Sequence, residues 1–162
     1  MGRPYERHTA KLEGDFVVFL IGARLVKPWQ FWKIIPVGRA MQAMMKELEE
    51  HGPKLGYLGQ EQWNGRTSIQ VQYWRSRDHL MTYARGGTHL PAWKHFNQVV
   101  AKSNAVGIWH ETYCIRAGDY ECIYGNMPLF GLGKAAERVD VAGQLETAKG
   151  RLGVTDGSDA AY

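Results

Sequence analysis

Two histidines carry most of the chemistry that this sequence offers: His89 in RGGTHLPAW and His110 in VGIWHETY. An imidazole titrates near neutrality, so it can take or give a proton, or bind a metal through its free nitrogen. His110 is followed directly by Glu111, which raises the question of a catalytic pair. VGIWHETY reads as a strand, and in a strand successive side chains point to opposite faces, so the two cannot form a direct dyad. His110 then shares a face with Ile108, Thr112 and Cys114, and Glu111 goes with Trp109, Tyr113 and Ile115. A buried unpaired carboxylate is unfavourable, so Glu111 is expected to meet a cationic or donor group on its own face. His89 lies between Gly86-Gly87 and Pro91, in a break between two helical pieces, with Tyr83 and Trp93 on either side as apolar walls. There it can reach a cavity as an acid, base or ligand, or it can cap the second helix and bond the backbone locally. No CxxC or HExxH spacing supports a mononuclear metal site.

The elements that would position these groups follow from period and punctuation. Asp15 to Leu25 reads as a buried strand. Val37, Met41, Met44, Met45 and Leu48 recur at helical spacing, with Pro36 in the first turn and Gly52 after the last, and the methionines are expected in the core. Between them KPWQFWKIIP holds Trp29, Phe31 and Trp32, either as packing or as the lid of an apolar pocket. Asn64-Gly65 is a preferred two-residue hairpin turn and sets a register with Trp63 facing Arg66, Glu61 facing Ser68 and Gly59 facing Gln70. On that register Leu58, Ile69, Val71 and Tyr73 form a helix-packed face. Tyr57, Glu61, Trp63, Gln70, Gln72 and Trp74 form an aromatic and polar one, suited to a small-molecule cavity or to solvent. Ser76 caps a helix through Leu80 and Tyr83, and Pro91 starts a second piece with Trp93, Phe96, Asn97 and Val100 on one face. A three-residue turn at Ala117-Gly118-Asp119 would return the chain, setting Cys114 opposite Cys122 and His110 opposite Asn126, whereas a two-residue turn would shift this by one. The order βαββαβ is that of a ferredoxin-like α+β unit. Its helices cover one sheet face, and large aromatics on the other are expected to be buried in a symmetric homodimer.

A chain of 162 residues, 44% hydrophobic, is long enough for one well-buried core and too short for two comfortable domains. Residues 1–133 are expected to form that domain. Residues 134–162 read as a Gly-, Ala- and charge-rich tail, with a weak surface helix over Ala135 to Lys149 and an end that is disordered or wraps the partner. The net charge is +4, but the 20 Lys and Arg are interleaved with acids, so no nucleic-acid partner is expected. FVVFLIGA is far too short to span a membrane, MGRPYERHTAKLEG lacks the apolar core of a signal peptide, and two cysteines do not make a secreted scaffold. A cytoplasmic location follows as the expectation.

VQYWRSRDHLMTYARGGTHLPAWKHFN, VGIWHETY and YECIYGNMPLFGLG, in that order between about Gly14 and Gly133, resemble the monooxygenase-like family named after a fumagillin-pathway enzyme, in the dimeric α+β barrel superfamily. Trp74, Arg75, His89, Trp93, His110, Glu111, Tyr120, Glu121, Tyr124 and Asn126 occupy its characteristic positions, while Gly86-Gly87 stands in place of a polar loop and the tail has no counterpart. The resemblance implies a homodimer of ferredoxin-like units with a pocket between sheet and helices. It also implies a choice of chemistry. In a cofactor-free monooxygenase, His89 or His110 would be the base, Asn126 or Gln72 the donor holding an oxyanion, and Trp74 and Trp93 the walls. In a haem b enzyme of aldoxime-dehydratase type, His89 would bind the iron. A non-catalytic small-molecule-binding dimer is the third reading. The expected site is therefore His89, His110 and Asn126 as catalytic groups, with Trp29, Trp32, Gln72, Trp74, Tyr83, Trp93 and Glu111 around the substrate, and with either no cofactor or haem b.

Overall fold

The computed structural model describes residues 6–154. In chain order they form β1 (Arg7–Lys11), β2 (Phe16–Leu25), a 3-10 segment (Pro28–Ile34), α1 (Ile35–Leu55), β3 (Tyr57–Trp63), β4 (Ile69–Trp74), α2 (Arg77–Ala84) and α3 (His89–His95). A π-turn (Phe96–Val100) leads on to β5 (Val106–Ile115), β6 (Tyr124–Gly125), α4 (Leu132–Ala135), β7 (Glu137–Asp140) and α5 (Ala148–Arg151). The main sheet is antiparallel in the order β3-β4-β2-β5, so the expected ferredoxin-like α+β unit is present as β2-α1-β3-β4-(α2, α3)-β5. A second small sheet has the order β6-β1-β7.

Cross-strand pairing sorts the main sheet into two faces. Val17 pairs with Trp74 and Cys114, Phe19 with Gln72 and Thr112, and Ile21 with Gln70 and His110. Paired residues share a face, and this is the inner face, because Val17 and Trp74 pack with Leu48 of α1 and with Leu80 and Tyr83 of α2. A second cluster under the helices joins Ala23, Val37, Val100, Ala105 and Val106. On the outer face Val18, Leu58 and Tyr73 pack against Ala10, Leu12, Phe16 and Leu132.

The hairpin differs from its expected register. Trp63 pairs with Ile69, Gln62 with Gln70 and Gln60 with Gln72, with a bulge between Tyr57 and Gly59. Asn64-Gly65 does not close a two-residue turn because β2 claims the residues that follow it. Leu25 N donates to Arg66 O at 2.9 Å, Ser68 N donates to Ala23 O at 2.8 Å, and Thr67 bridges Arg24. The faces divide otherwise than expected: Gln70, Gln72 and Trp74 lie under the helices, while Glu61 and Trp63, expected beside them, look outward with Ile69, Val71 and Tyr73.

Helix α1 runs past Gly52 to Leu55 and ends at Gly56, whose φ of 75° is the left-handed conformation of a helix C-cap. Gly52 answers to packing instead, since a Cβ there would lie 2.6 Å from the Tyr57 ring. Beyond β5 the chain turns at Arg116–Asp119 but does not fold back on it. Tyr120 meets Phe16 edge-on at 5.0 Å, its hydroxyl bonds the Leu12 backbone, and Cys122 Sγ accepts from Ala10 N at 3.4 Å. The N-terminal strand β1, for which the sequence offered no sign, captures this segment. Cys114 is therefore not opposite Cys122, nor His110 opposite Asn126, and both cysteines are free thiols.

The segment after Gly133 also differs from a weak helix, because β7 pairs along β1 from His8↔Asp140 to Lys11↔Glu137. Arg151, its side chain only 3% exposed, closes the end with a 2.7 Å ion pair to Glu121. Residues 155–162, where a disordered or partner-wrapping end was expected, lie outside the described residues.

Candidate functional site

Between the inner sheet face and the helices lies a cavity of about 440 Å³. Phe19 and Ile21 of β2 and Ile108 of β5 form its floor, Met41 and Met44 of α1 one wall, and Trp93 and Phe96 another, the last two stacked at 5.8 Å. Exposed Arg85, His95, His110 and Thr112 stand among the lining residues as its more polar members. A smaller cavity of about 40 Å³ shares Phe19, Met44, Leu80 and His89 with it and is lined in addition by Gln70 and Gln72. The methionines expected as plain core thus line the cavities, and Met45 Sδ accepts from Gln70 Nε2 at 3.1 Å.

His89 opens α3 and lines both cavities. Its Nδ1 lies 2.8 Å from Ala84 O. A carbonyl only accepts, so Nδ1 carries the proton in the neutral ring and Nε2 keeps a free lone pair. The local backbone bond and the functional role weighed for this residue are therefore compatible, since the bond selects the tautomer. Tyr83 sits beside the imidazole, with ring centroids 6.0 Å apart. Its hydroxyl is 3.4 Å from both Met44 O and Glu47 Oε2. Burial first, and then the Glu47 charge, hold this phenol well above its ordinary range, so it acts as a neutral donor. Glu47 Oε2 also accepts from Thr88 N at 3.3 Å, tying α1 to the loop before His89. Gly87 holds a left-handed φ of 48°, which accounts for a glycine where a polar loop residue was expected, and a side chain there would also crowd that carboxylate.

The remaining expected site residues are dispersed. His110 lines the larger cavity with its ring 5.7 Å from Phe19, but it does not meet Asn126. Asn126, at φ 51°, lies beside the second sheet, where its Oδ1 accepts from Glu6 N at 3.1 Å. Glu111 is on the outer face and accepts from the Tyr113 hydroxyl at 2.6 Å, a bond that raises the Tyr113 pKa, but both residues are exposed, so the burial from which a partner was expected is absent. Trp29 and Trp32, 69% and 52% exposed on the 3-10 segment, are not among the lining residues. Trp74 is fully buried behind the cavities and donates to Gln72 Oε1 at 3.1 Å. Gln72 is no oxyanion donor, because its amide N–H groups reach Gln60 Oε1 and Gln70 Oε1, each at 3.2 Å. Trp93 and Tyr83 do line cavities. Gln70, placed by its period-2 spacing on the same face as Gln72 and Trp74 but not among the expected site residues, lines the smaller cavity.

A haem would find compatible residues here: an imidazole whose Nδ1–H is held by a carbonyl, as metal-ligating histidines commonly are, and apolar walls beside it. Among the described residues no three His, Cys, Asp or Glu side chains converge as a metal-ion site.

Comparison with known proteins agrees with this architecture. The fold superimposes on aldoxime dehydratase (OxdRE), solved with butyraldoxime, with a TM-score of 0.69 at 19% identity, over 82% of this chain and 40% of that one. A looser likeness links it to SnoaB, a cofactor-independent oxygenase from Streptomyces nogalater, with a TM-score of 0.40 at 12% identity, over 63% of this chain and 94% of that one. Monooxygenase af470 of Aspergillus fumigatus is 24% identical over 136 residues, 79% of this chain and 49% of the relative, so the chain spans about half the length of that protein. The family model described as monooxygenase af470-like matches residues 16–132, which run from the first strand of the ferredoxin-like unit to the start of α4 and include both histidines, and the chain belongs to that family.

Proposed function

We propose that the chain is a monooxygenase-like oxidoreductase that takes a small, largely apolar or aromatic substrate into the cavity between sheet and helices. The observation that carries this reading is His89, whose imidazole is fixed as an acceptor at Nε2 on the wall of an apolar cavity. In the cofactor-free form of the reaction, an activated methylene loses a proton to Nε2 and the carbanion reduces dioxygen. The resulting peroxide expels water to leave a carbonyl, so one oxygen atom stays on the substrate and the other departs as water. The apolar walls lower the polarity around Nε2, which favours the proton transfer. The test is oxygen uptake with anthrone as the probe: turnover by the native protein and none by His89→Ala supports the reading, and equal rates overturn it.

A haem-dependent lyase is the second reading, favoured by the same tautomer lock. When bound, haem would supply the redox and Lewis-acid chemistry. The chain would hold the macrocycle through His89 and apolar contacts, and Arg85 at the cavity suits a carboxylate side chain. An absorption spectrum followed by haem titration separates the two: a Soret band at stoichiometric haem, lost in His89→Ala, selects the haem form.

The same proposal includes a homodimer built on the outer face, where Trp63 and Tyr113 remain 46% and 49% exposed beside the part that the second sheet covers. A cytoplasmic location completes it. No helix among the described residues is long and apolar enough to cross a membrane.

A further inference from the structure

The hydrogen-bond polarity of the inner cavity is set from both ends. An indole N–H can only donate. Trp74 Nε1, buried at 0% exposure, therefore requires the oxygen of Gln72, and finds it at 3.1 Å. Gln72 Nε2 must then point away from Trp74, to Gln70 Oε1 and Gln60 Oε1. Gln70 Nε2 is turned in the same sense, to Gln62 Oε1 and to Met45 Sδ, both at 3.1 Å, and a thioether only accepts. A donor-only group at one end and an acceptor-only group at the other leave these two amides a single orientation.

The consequence concerns what is left over. Both hydrogens on each Nε2 are used, while each Oε1 has accepted one bond and retains a second lone pair. His89 has used its Nδ1–H on Ala84 O. Tyr83 directs its hydroxyl proton toward Met44 O and Glu47. The unused hydrogen-bonding capacity of the polar side chains around the 40 Å³ cavity is therefore acceptor capacity alone.

Resting on the proposed function, and naming its substrate class, we propose that the inner cavity selects ligands whose buried head is a small hydrogen-bond donor, a hydroxyl on an aromatic body, and rejects ether, carbonyl and carboxylate heads. The volume admits a head of about one or two non-hydrogen atoms, and the apolar 440 Å³ cavity takes the body. Gln70 and Gln72 are the specificity residues. Trp74 is a positioning residue that acts through Gln72.

Calorimetric titration of the full chain in anaerobic buffer with 2-naphthol and 2-fluoronaphthalene tests this, because the two share body and head size but only the first can donate. The expected result is 2-naphthol binding about fivefold tighter, and a ratio of about twofold or less in Gln70→Met, as for one net hydrogen bond. Trp74→Phe, which touches neither cavity lining, should narrow the ratio as well by releasing Gln72 to turn. Equal affinities in the native protein, no uptake of either probe, or an undiminished ratio in a folded Gln70→Met overturns the proposal, and the native ratio decides it if a variant does not fold. Preference for 2-naphthol together with no oxygen uptake in the separate aerobic anthrone assay would sink the monooxygenase reading and keep this one. Oxygen uptake in that aerobic assay without a preference in the titration would do the reverse.

Discussion

The two faces of one sheet have been put to opposite uses. The inner face holds a row of side chains that no ordinary core would choose: Gln62, Gln70, Ile21 and His110 across four strands, with Gln60, Gln72, Phe19 and Thr112 in the next. Burying these amides costs little only because each bonds to another, and the spaces left above them are the cavities. The outer face sets Val18, Leu58, Val71 and Tyr73 beside Glu61, Trp63, Glu111 and Tyr113, and is closed over part of its area by β1, α4 and residues near Tyr120. Aromatic and polar character in a strand pattern is therefore not a mark of the face awaiting a partner. Here it marks the face turned toward the helices, where a ligand would be held.

The largest effect that would break this comparison is at His89. His89→Ala should lower turnover by about two to four orders of magnitude, as for loss of a general base, while stability changes by about 1 kcal/mol or less. His110→Ala and Asn126→Ala, assayed in parallel, should fall well short of that loss. Full activity in His89→Ala would move the chemistry off the inner wall.

Leu48→Ala removes a side chain that is 2% exposed against Trp74 and Val17. It should cost about 2–5 kcal/mol in denaturant unfolding, and a smaller loss would show the inner face to be loosely packed. The outer face should report through assembly instead. Light scattering is expected to give twice the chain mass, and Trp63→Glu, placing a charge beside Phe130, should shift it toward the monomer. A native monomer at micromolar concentration would mean that the second sheet alone suffices as cover.

Alkali probes both faces together. Burial is the first cause raising the phenols of Tyr57 and Tyr83 on the inner side and of Tyr73 and Tyr124 on the outer side, with Tyr124 pushed up to about 12. The unfolded chain gives up these protons near 10.0, the folded chain later. Their stabilisation is present below pH 10 and is lost as pH rises through the folded values. Melting temperature should fall across that window together with a delayed rise in tyrosinate absorbance. A titration complete near pH 10 would contradict the burial. The smallest effect is expected of Glu111→Gln, which should leave the denaturant midpoint nearly unchanged, since its partner Tyr113 is exposed.

Much of this was legible without coordinates. The order βαββαβ, the strand expected over Asp15 to Leu25 and found over Phe16–Leu25, the helix carrying Met41 and Met44, and the separation of His110 from Glu111 all follow from period, because alternation and helical spacing are properties of a single segment. The break expected before Pro91 pointed to His89, although α3 opens at His89 itself and carries Pro91 in its first turn, so the break lies just before the histidine. What the segments could not state is phase relative to one another. The β3–β4 register was decided by β2 taking Arg66 and Ser68, the fate of Asn126 by β1 taking Tyr124 and Gly125, and the position of Gln70 under the helices by both sides of the sheet at once. These choices are made by backbone hydrogen bonds between residues far apart in the chain, and a shift of an odd number of residues turns a strand's side chains to the opposite face. Local sequence determined which residues alternate. Only the tertiary pairing decided which of them line a cavity.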